Sequence, residues 1–320
     1  MTATLTLFQG NIAISRDGTV FCSIYPAGGS GSGFKAFNPD GSVKWDSGID
    51  PGYAGQMLLT PDEGLLYVML PAPFTSPASG LSPVDGSVKW STDLVSAYGY
   101  DYVAAAVGPD NTGYYLEGGE PRSSFGDTLV AVDQRGTILW SHKIGHGGWA
   151  AFGGVTPSFP VVAEDNSAIY LTQVDWTANS WLVKLDPVNG NELLAINLNA
   201  LYGESWAGLA GLTADGNVVV VGYSTSTFYC FKPDGTLKWS ASPGFGNLSP
   251  AFARDNQGTL YVAVRMWPSS LIYKCDPSSG ALTVFHDATP EVGLFTQVGG
   301  IAVDADGFVY FVGENGGNID

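Results

Sequence analysis

Proton transfer near neutral pH calls first on imidazole, and this chain carries three histidines, His142, His146 and His286. His146 stands apart because it lies in a long glycine-rich stretch, HKIGHGGWAAFGG, of the kind that presents side chains to a ligand. With His146 as base, Tyr100 or Tyr102 as acid and Arg122 or Arg265 as a clamp for a carboxylate, the residue types suit removal of a proton from an acidic sugar. The histidines are scattered, so no tri-histidine metal set has the local spacing it would need. There is no GxSxG turn, no phosphate-binding loop and no glycine-rich dinucleotide signature between a strand and a helix.

A second group of candidates is aromatic. Trp149, Trp176, Tyr202, Trp206 and Trp267 fall in segments between apolar runs, with Glu204 and Gln297 in similar positions. Flat rings beside carboxylates and amides can stack on sugar rings and bond their hydroxyls, and they serve equally well against a protein surface. The first expectation is therefore a non-catalytic binding or scaffold protein for a glycan or protein partner. A lyase-type enzyme acting on polysaccharides, built on the His146 group, is the alternative.

What must position these residues is a repeat. Seven short runs end on Phe21, Tyr67, Tyr115, Tyr170, Val219, Tyr261 and Tyr310, spaced 42 to 55 residues apart. The first six are each followed by a second column: DGSVKW ending at Trp45, DGSVKW at Trp90, RGTILW at Trp140, NGNELL at Leu194, DGTLKW at Trp239 and SGALTV at Val284. Each unit holds four short strand patterns punctuated by Gly, Pro, Asp and Asn. In the fifth unit they cover 208–213, 217–223, 228–231 and 236–240, while the third strand of the second unit is poorly marked. The pattern predicts an all-β chain with almost no helix: one seven-bladed β-propeller domain over residues 1–320, built of four-stranded antiparallel blades. Residues 3–8, ATLTLF, have the pattern of a fourth strand, with Phe8 near the place of Trp45 or Trp239, and are expected to pair with 298–320 in a closing blade. The tryptophans of the second column read as packing between blades rather than as a binding site.

Thirty Asp and Glu face thirteen Lys and Arg, a net charge of -17, which disfavours nucleic acid and anionic membranes as partners. No apolar run is long enough to span a bilayer. Cys22, Cys230 and Cys275 sit inside apolar runs and read as buried free thiols. Low charge content with abundant Gly, Ser, Thr and aromatics suggests an extracellular or periplasmic protein, although MTATLTLFQG does not read as a signal peptide. The DADG run at 304–307 lacks the remaining ligands of an EF-hand loop, so calcium is not expected. The oligomeric state is left open.

The phrases FNPDGSVKW, VDQRGTILW, LDPVNGNELL and FKPDGTLKW resemble the repeat of PQQ-like propellers, AxDxxTGxxxW, over nearly the whole chain. The resemblance implies the propeller fold. It also implies a third functional possibility, a quinone-dependent dehydrogenase. Dehydrogenases of that kind carry more blades and usually adjoining cysteines, and no two cysteines adjoin here, so neither PQQ nor any other cofactor is expected.

Overall fold

The computed structural model describes residues 13–24, 33–49, 57–69, 76–94, 102–117, 128–146, 160–175, 177, 179–244, 247–266, 269–292, 297–303 and 307–314. Among them the chain forms seven antiparallel sheets, spanning 13–46, 57–94, 102–143, 161–197, 207–241, 247–287 and 297–314. The first six have four strands, each bonded to its sequence neighbours. The seventh has two described strands, Gln297–Val303 and Val309–Glu314. The helices are short, Leu198–Tyr202 and Thr289–Val292, and none among the described residues is long and apolar enough to cross a membrane. Residues 3–8 and 315–320, expected to meet in the last sheet, lie outside the described residues.

The chain separates into two compact units: Met1–Phe152 with Val162–Ile169 and Leu185–Glu192, and Gly153–Val161 with Tyr170–Lys184 and Leu193–Asp320. In each, the apolar core lies between successive sheets. In the first unit, Phe21, Phe34 and Trp45 of the first sheet pack with Met57, Leu66 and Val68 of the second. In the second unit, Val219, Phe228 and Trp239 of the fifth sheet pack with Leu260, Val262 and Tyr273 of the sixth. Second strands are covered on both faces. They therefore read as continuous apolar runs such as Val218–Gly222, buried at every position, instead of alternating. All three cysteines are buried and unbridged, as their apolar settings imply.

The fifth sheet has strands Ala207–Leu212, Val218–Gly222, Thr227–Phe231 and Leu237–Ala241, within a residue or so of the expected bounds. The poorly marked third strand of the second sheet forms at Ser76–Leu81 despite its small residues. Gly80 explains it: Gly80 pairs with Trp90, and a Cβ there would overlap the indole. A small residue is what the strand needs at that point.

One contact repeats along both units. The ring on the fourth strand of a sheet lies over the glycine in the last turn of the next sheet. A Cβ on Gly86 would come 2.7 Å from Trp45, on Gly190 2.7 Å from Trp140, and on Gly280 2.6 Å from Trp239. Those glycines also hold φ of +71°, +75° and +75°, a region that other residues seldom enter. In these three turns the glycine N–H returns to the carbonyl four residues back, and the added residue brings a proline carbonyl under the indole. Trp45, Trp140 and Trp239 donate Nε1 to the carbonyls of Pro83, Pro187 and Pro277 at 2.9, 2.9 and 3.0 Å. The turns ending on Gly136 and Gly235 are one residue shorter. Gly235 meets Leu194, which has no N–H to satisfy, while Gly136 meets Trp90, whose buried Nε1 finds no partner among the described residues. Gly41, in the equivalent short turn of the first sheet, has nothing among the described residues within 4 Å of its Cβ position.

Aspartates lock the turns. Oδ1 of Asp17, Asp85 and Asp234 accepts the backbone N–H two residues on, and the same bond recurs at Asp40, Asp62, Asp110 and Asp276. The hydroxyl and N–H of Ser87 hold Asp85 at about 2. The Thr213 hydroxyl does most to hold Asp215 at about 2, with Lys238 assisting against the upward push of burial. Much of the acidic excess is thus part of the backbone architecture.

Two predictions follow from these contacts. Gly216, at φ +75° with nothing within 4 Å, should cost about 1 kcal/mol on change to alanine, the left-handed backbone penalty alone. Gly280→Ala adds overpacking against Trp239 and should cost about 3 kcal/mol; equal denaturation midpoints for the two variants would refute the ring-over-glycine packing. For pH, these carboxylates have folded values below the ordinary 3.8, so their stabilisation is complete above it and lost as pH falls toward about 2. Melting temperature should therefore be level from about pH 7 to 5 and drop steeply between about pH 4 and 2. A profile that declines already at pH 6 would point to other groups.

Candidate functional site

In a four-stranded meander, the turn from second to third strand and the segment leaving the fourth strand lie at the same end of the sheet. For the fourth and fifth sheets this end is described in detail. It comprises the turn at 175–179, the segment 198–206 and the turn at 223–226, all in the second compact unit.

Segment 198–206 starts as a helix where the sequence was read as loop. Asn197 caps it by accepting the N–H of Ala200 at 2.8 Å, and Gly203, at φ 72°, ends it by donating to the Asn199 carbonyl at 2.9 Å. The polar cap and the following glycine are visible in the sequence and could have marked this turn. Tyr202, at the last position, is half-buried, its ring 5.2 Å from Tyr229 and 5.9 Å from Phe231. Burial, with Tyr229 beside it, pushes its phenol above the ordinary value, so it stays a neutral hydrogen-bonding group.

Glu204 is fully buried. Oε1 accepts the N–H groups of Trp206 and Ser224, both at 2.9 Å, and Oε2 accepts the N–H and hydroxyl of Thr225 at 3.0 and 2.7 Å. The Thr225 hydroxyl continues to Tyr229 Oη at 2.9 Å. Four donors satisfy the carboxylate in place of water, so it can be buried without a cation. Gly222 makes room for it: a Cβ there would collide with Oε2. The carboxylate thus joins the segment carrying Tyr202 and Trp206 to the turn at 223–226, and Trp206 is held half-buried at the surface. The sequence offered Glu204 as a group that bonds a ligand. The structure places it beneath the surface, bonded to its own chain.

The neighbouring turn has its own anchor. Asp175 Oδ1 accepts the N–H groups of Thr177 and Asn179 and the Thr177 hydroxyl at 2.8 to 2.9 Å, and Oδ2 accepts Asn179 Nδ2 at 2.9 Å and Trp181 Nε1 at 3.2 Å. Burial pushes this carboxyl up, but the bonds from Asn179, Thr177 and Trp181 outweigh it and hold it at about 2. Asn199 Nδ2 donates to Asn179 Oδ1 at 3.0 Å, linking this turn to the helix. No local pattern in the sequence marks the Asn179–Asn199, Ser224–Glu204 and Thr225–Glu204 bonds, whose partners lie 20 or 21 residues apart.

The remaining candidates are dispersed. His146 follows the fourth strand of the third sheet, and its Nε2 lies 3.0 Å from Oε2 of Glu192, the first residue of the strand Glu192–Asn197. That ties it to the neighbouring sheet. Three of the candidates belong to strands: Tyr102 begins Tyr102–Val107, Arg265 lies within Leu260–Met266 opposite Ser270, and Gln297 begins Gln297–Val303 opposite Glu314. Backbone pairing at those positions outlasts the apolar pattern from which the strand ends were judged. Tyr100, Arg122, Trp149, Trp176 and Trp267 lie outside the described residues. Among the described residues no group of three His, Cys, Asp or Glu could hold a metal ion.

No family model matches this chain, and no curated protein matches it in sequence. Its likeness is to solved structures. A catalytically inactive variant of virginiamycin B lyase from Staphylococcus aureus, solved with quinupristin, is 13% identical, with a TM-score of 0.65 over 96% of this chain and 91% of that one. Hydrazine synthase from Kuenenia stuttgartiensis is 16% identical, with a TM-score of 0.65 over 97% of this chain and 94% of that one. The C-terminal WD40 domain of Sif2 is 12% identical, with a TM-score of 0.61 over 94% and 78%. At such identities the likeness shows the fold, a β-propeller, and leaves chemistry to be argued from the site.

Proposed function

We propose that this protein is a non-catalytic binding propeller that uses the loop end of its fourth and fifth sheets to hold a glycan. The observation that carries this reading is the pair of half-buried rings, Tyr202 and Trp206, two residues before and two after the buried Glu204 anchor in the chain. Anchoring from beneath leaves the rings fixed in place before a ligand arrives, which limits the ordering cost of binding. Asn179, Asn199 and the exposed Ser224 supply polar groups at the same end. The fold neighbours include both a lyase and a WD40 domain, so the fold itself does not choose between reaction and recognition. The reading needs no cofactor, and it suits an extracellular or periplasmic protein.

We propose in addition that the seven sheets are seven blades of the PQQ-like repeat, the last completed by residues 3–8. Two features support this. Phe21, Tyr67, Tyr115, Val219 and Tyr261 are 0 to 3% exposed, whereas Tyr310, their counterpart in the two-stranded sheet, is 57% exposed. Gly41 has the short turn that elsewhere receives Leu194, a side chain without an N–H, and Phe8 likewise has none.

For the ligand, a glycan array followed by calorimetry should find a saccharide whose affinity falls about tenfold or more in Trp206→Ala and in Tyr202→Ala. Silence across the array, with retention of a protein partner instead, would replace the glycan reading by a protein one; silence to both would end it. For the closing strand, Gly41→Ala should lower stability as much as Gly280→Ala, and Phe8→Ala should cost about 3 kcal/mol. A Gly41→Ala variant as mild as Gly216→Ala would rule out Phe8 at that position.

A further inference from the structure

A cavity of about 440 Å³ opens between the first strands of the first two sheets, Ala13–Ile14 and Met57–Leu59. Ile14, Leu58 and Leu59, with the buried Met57 beside them, supply apolar surface mixed with polar atoms, and Thr60 and Glu63 are also among the lining residues. Ile14 is 64% exposed, so the apolar surface is open to an incoming group. The volume is within the usual range for ligand sites. Among the described residues each of the two strands has a bonded neighbour on one side only, which leaves backbone donors and acceptors along its other edge.

Glu63 gives this cleft its chemistry. In the six described turns between first and second strands, the residue whose N–H returns to the carbonyl three back has positive φ. Five of the six are glycine or asparagine, the residues that tolerate that conformation: Gly18, Asn111, Asn166, Gly216 and Gly258. The other is Glu63, at φ 57°. A strained glutamate where glycine would serve better raises the question of what its carboxylate does. Within the fold it does little. Oε1 accepts the Arg16 N–H at 2.9 Å, and the Arg16 guanidinium, 3.6 Å away on an 81% exposed side chain, forms only a weak surface pair. The side chain of Glu63 is itself 28% exposed. Asp17 and Asp62 lie in the same two turns, and the whole chain carries a net charge of -17.

Partly apolar walls, strand edges unpaired among the described residues and an accessible carboxylate in the lining together describe one kind of guest. We infer that this cleft binds an extended peptide segment of alternating aliphatic and basic residues. The aliphatic side chains fill the space between Ile14 and Leu59, a lysine or arginine reaches Glu63 in place of Arg16, and the peptide backbone bonds a free strand edge. The site shares no residue with the Tyr202 and Trp206 face and stands or falls separately from it.

The test uses the full chain and a fluorescein-labelled hexapeptide of alternating leucine and lysine, followed by anisotropy. Saturable binding is expected, weakened about tenfold or more by Ile14→Arg and by Glu63→Gly. Glycine relieves the backbone strain, so Glu63→Gly should melt at the same or a higher temperature while it loses the peptide. Equal binding of a serine and lysine hexapeptide would show bulk charge attraction and overturn the site. Displacement by n-hexylamine at comparable concentration would make it an amine pocket rather than a peptide cleft. Unchanged peptide affinity in Glu63→Gly, or lost affinity with a lowered melting temperature, would equally refute the role given to Glu63.

Discussion

A side chain from one sheet seated on the last-turn glycine of the next is the contact on which the rest of this molecule depends. Antiparallel sheets of four strands have no means of joining face to face unless side chains interdigitate between them, and here the join is made at the same point of the repeat in the five junctions among the described residues that show it. Trp45, Trp140 and Trp239 each bring a large apolar area, and each ends in an N–H that must be satisfied when buried. The longer proline-containing turn supplies the carbonyl, and the glycine supplies the space. Ring size, turn length and glycine position are therefore one coupled choice. Where the coupling is broken, as at Trp90, a buried nitrogen is left without a described partner.

Two kinds of carboxylate divide the remaining work. The aspartates of the turns lie at the surface, where they satisfy backbone groups of many chain reversals and stay ionised far into acid. Glu204 instead joins elements some 20 residues apart, and Asp175 fixes the neighbouring turn, whose Asn179 meets Asn199 of the helix, at the end of the sheets where Tyr202 and Trp206 emerge. A rigid anchor under a pair of partly open rings differs from the arrangement of a catalytic acid and base, which needs a titrating group in reach of a substrate. That contrast, rather than any resemblance of fold, is what favours recognition over reaction.

The site was legible in part. Tyr202 and Trp206 were identifiable as aromatic residues between strand patterns, and the structure sets them at one end of the sheets with Glu204 between them in sequence. The inverted role of Glu204 was not legible, because a glutamate in a loop reads as exposed until the four donors around it are known. Asn179 and Thr225 gave no signal for the same reason: each bonds a partner about 20 residues away on another element. His146 looked free among glycines, yet it pairs with Glu192, 46 positions further on.

By itself the chain's order of residues determined the repeat, the strand class and the turns, since alternation, Asp-Gly pairs and a recurring column are local properties that survive without a fold. Even the small residues of Ser76–Leu81 could be counted as a strand once their neighbours were known to repeat. Only the tertiary structure decided which ring meets which glycine, which carboxylate is a lock and which is open to solvent, and where a strained residue such as Glu63 stands beside a cavity. The physical reason is range. Backbone conformation is governed by residues a few positions apart, whereas burial and hydrogen-bond satisfaction are settled between elements about one repeat apart, where no pattern in the chain records who will be adjacent to whom.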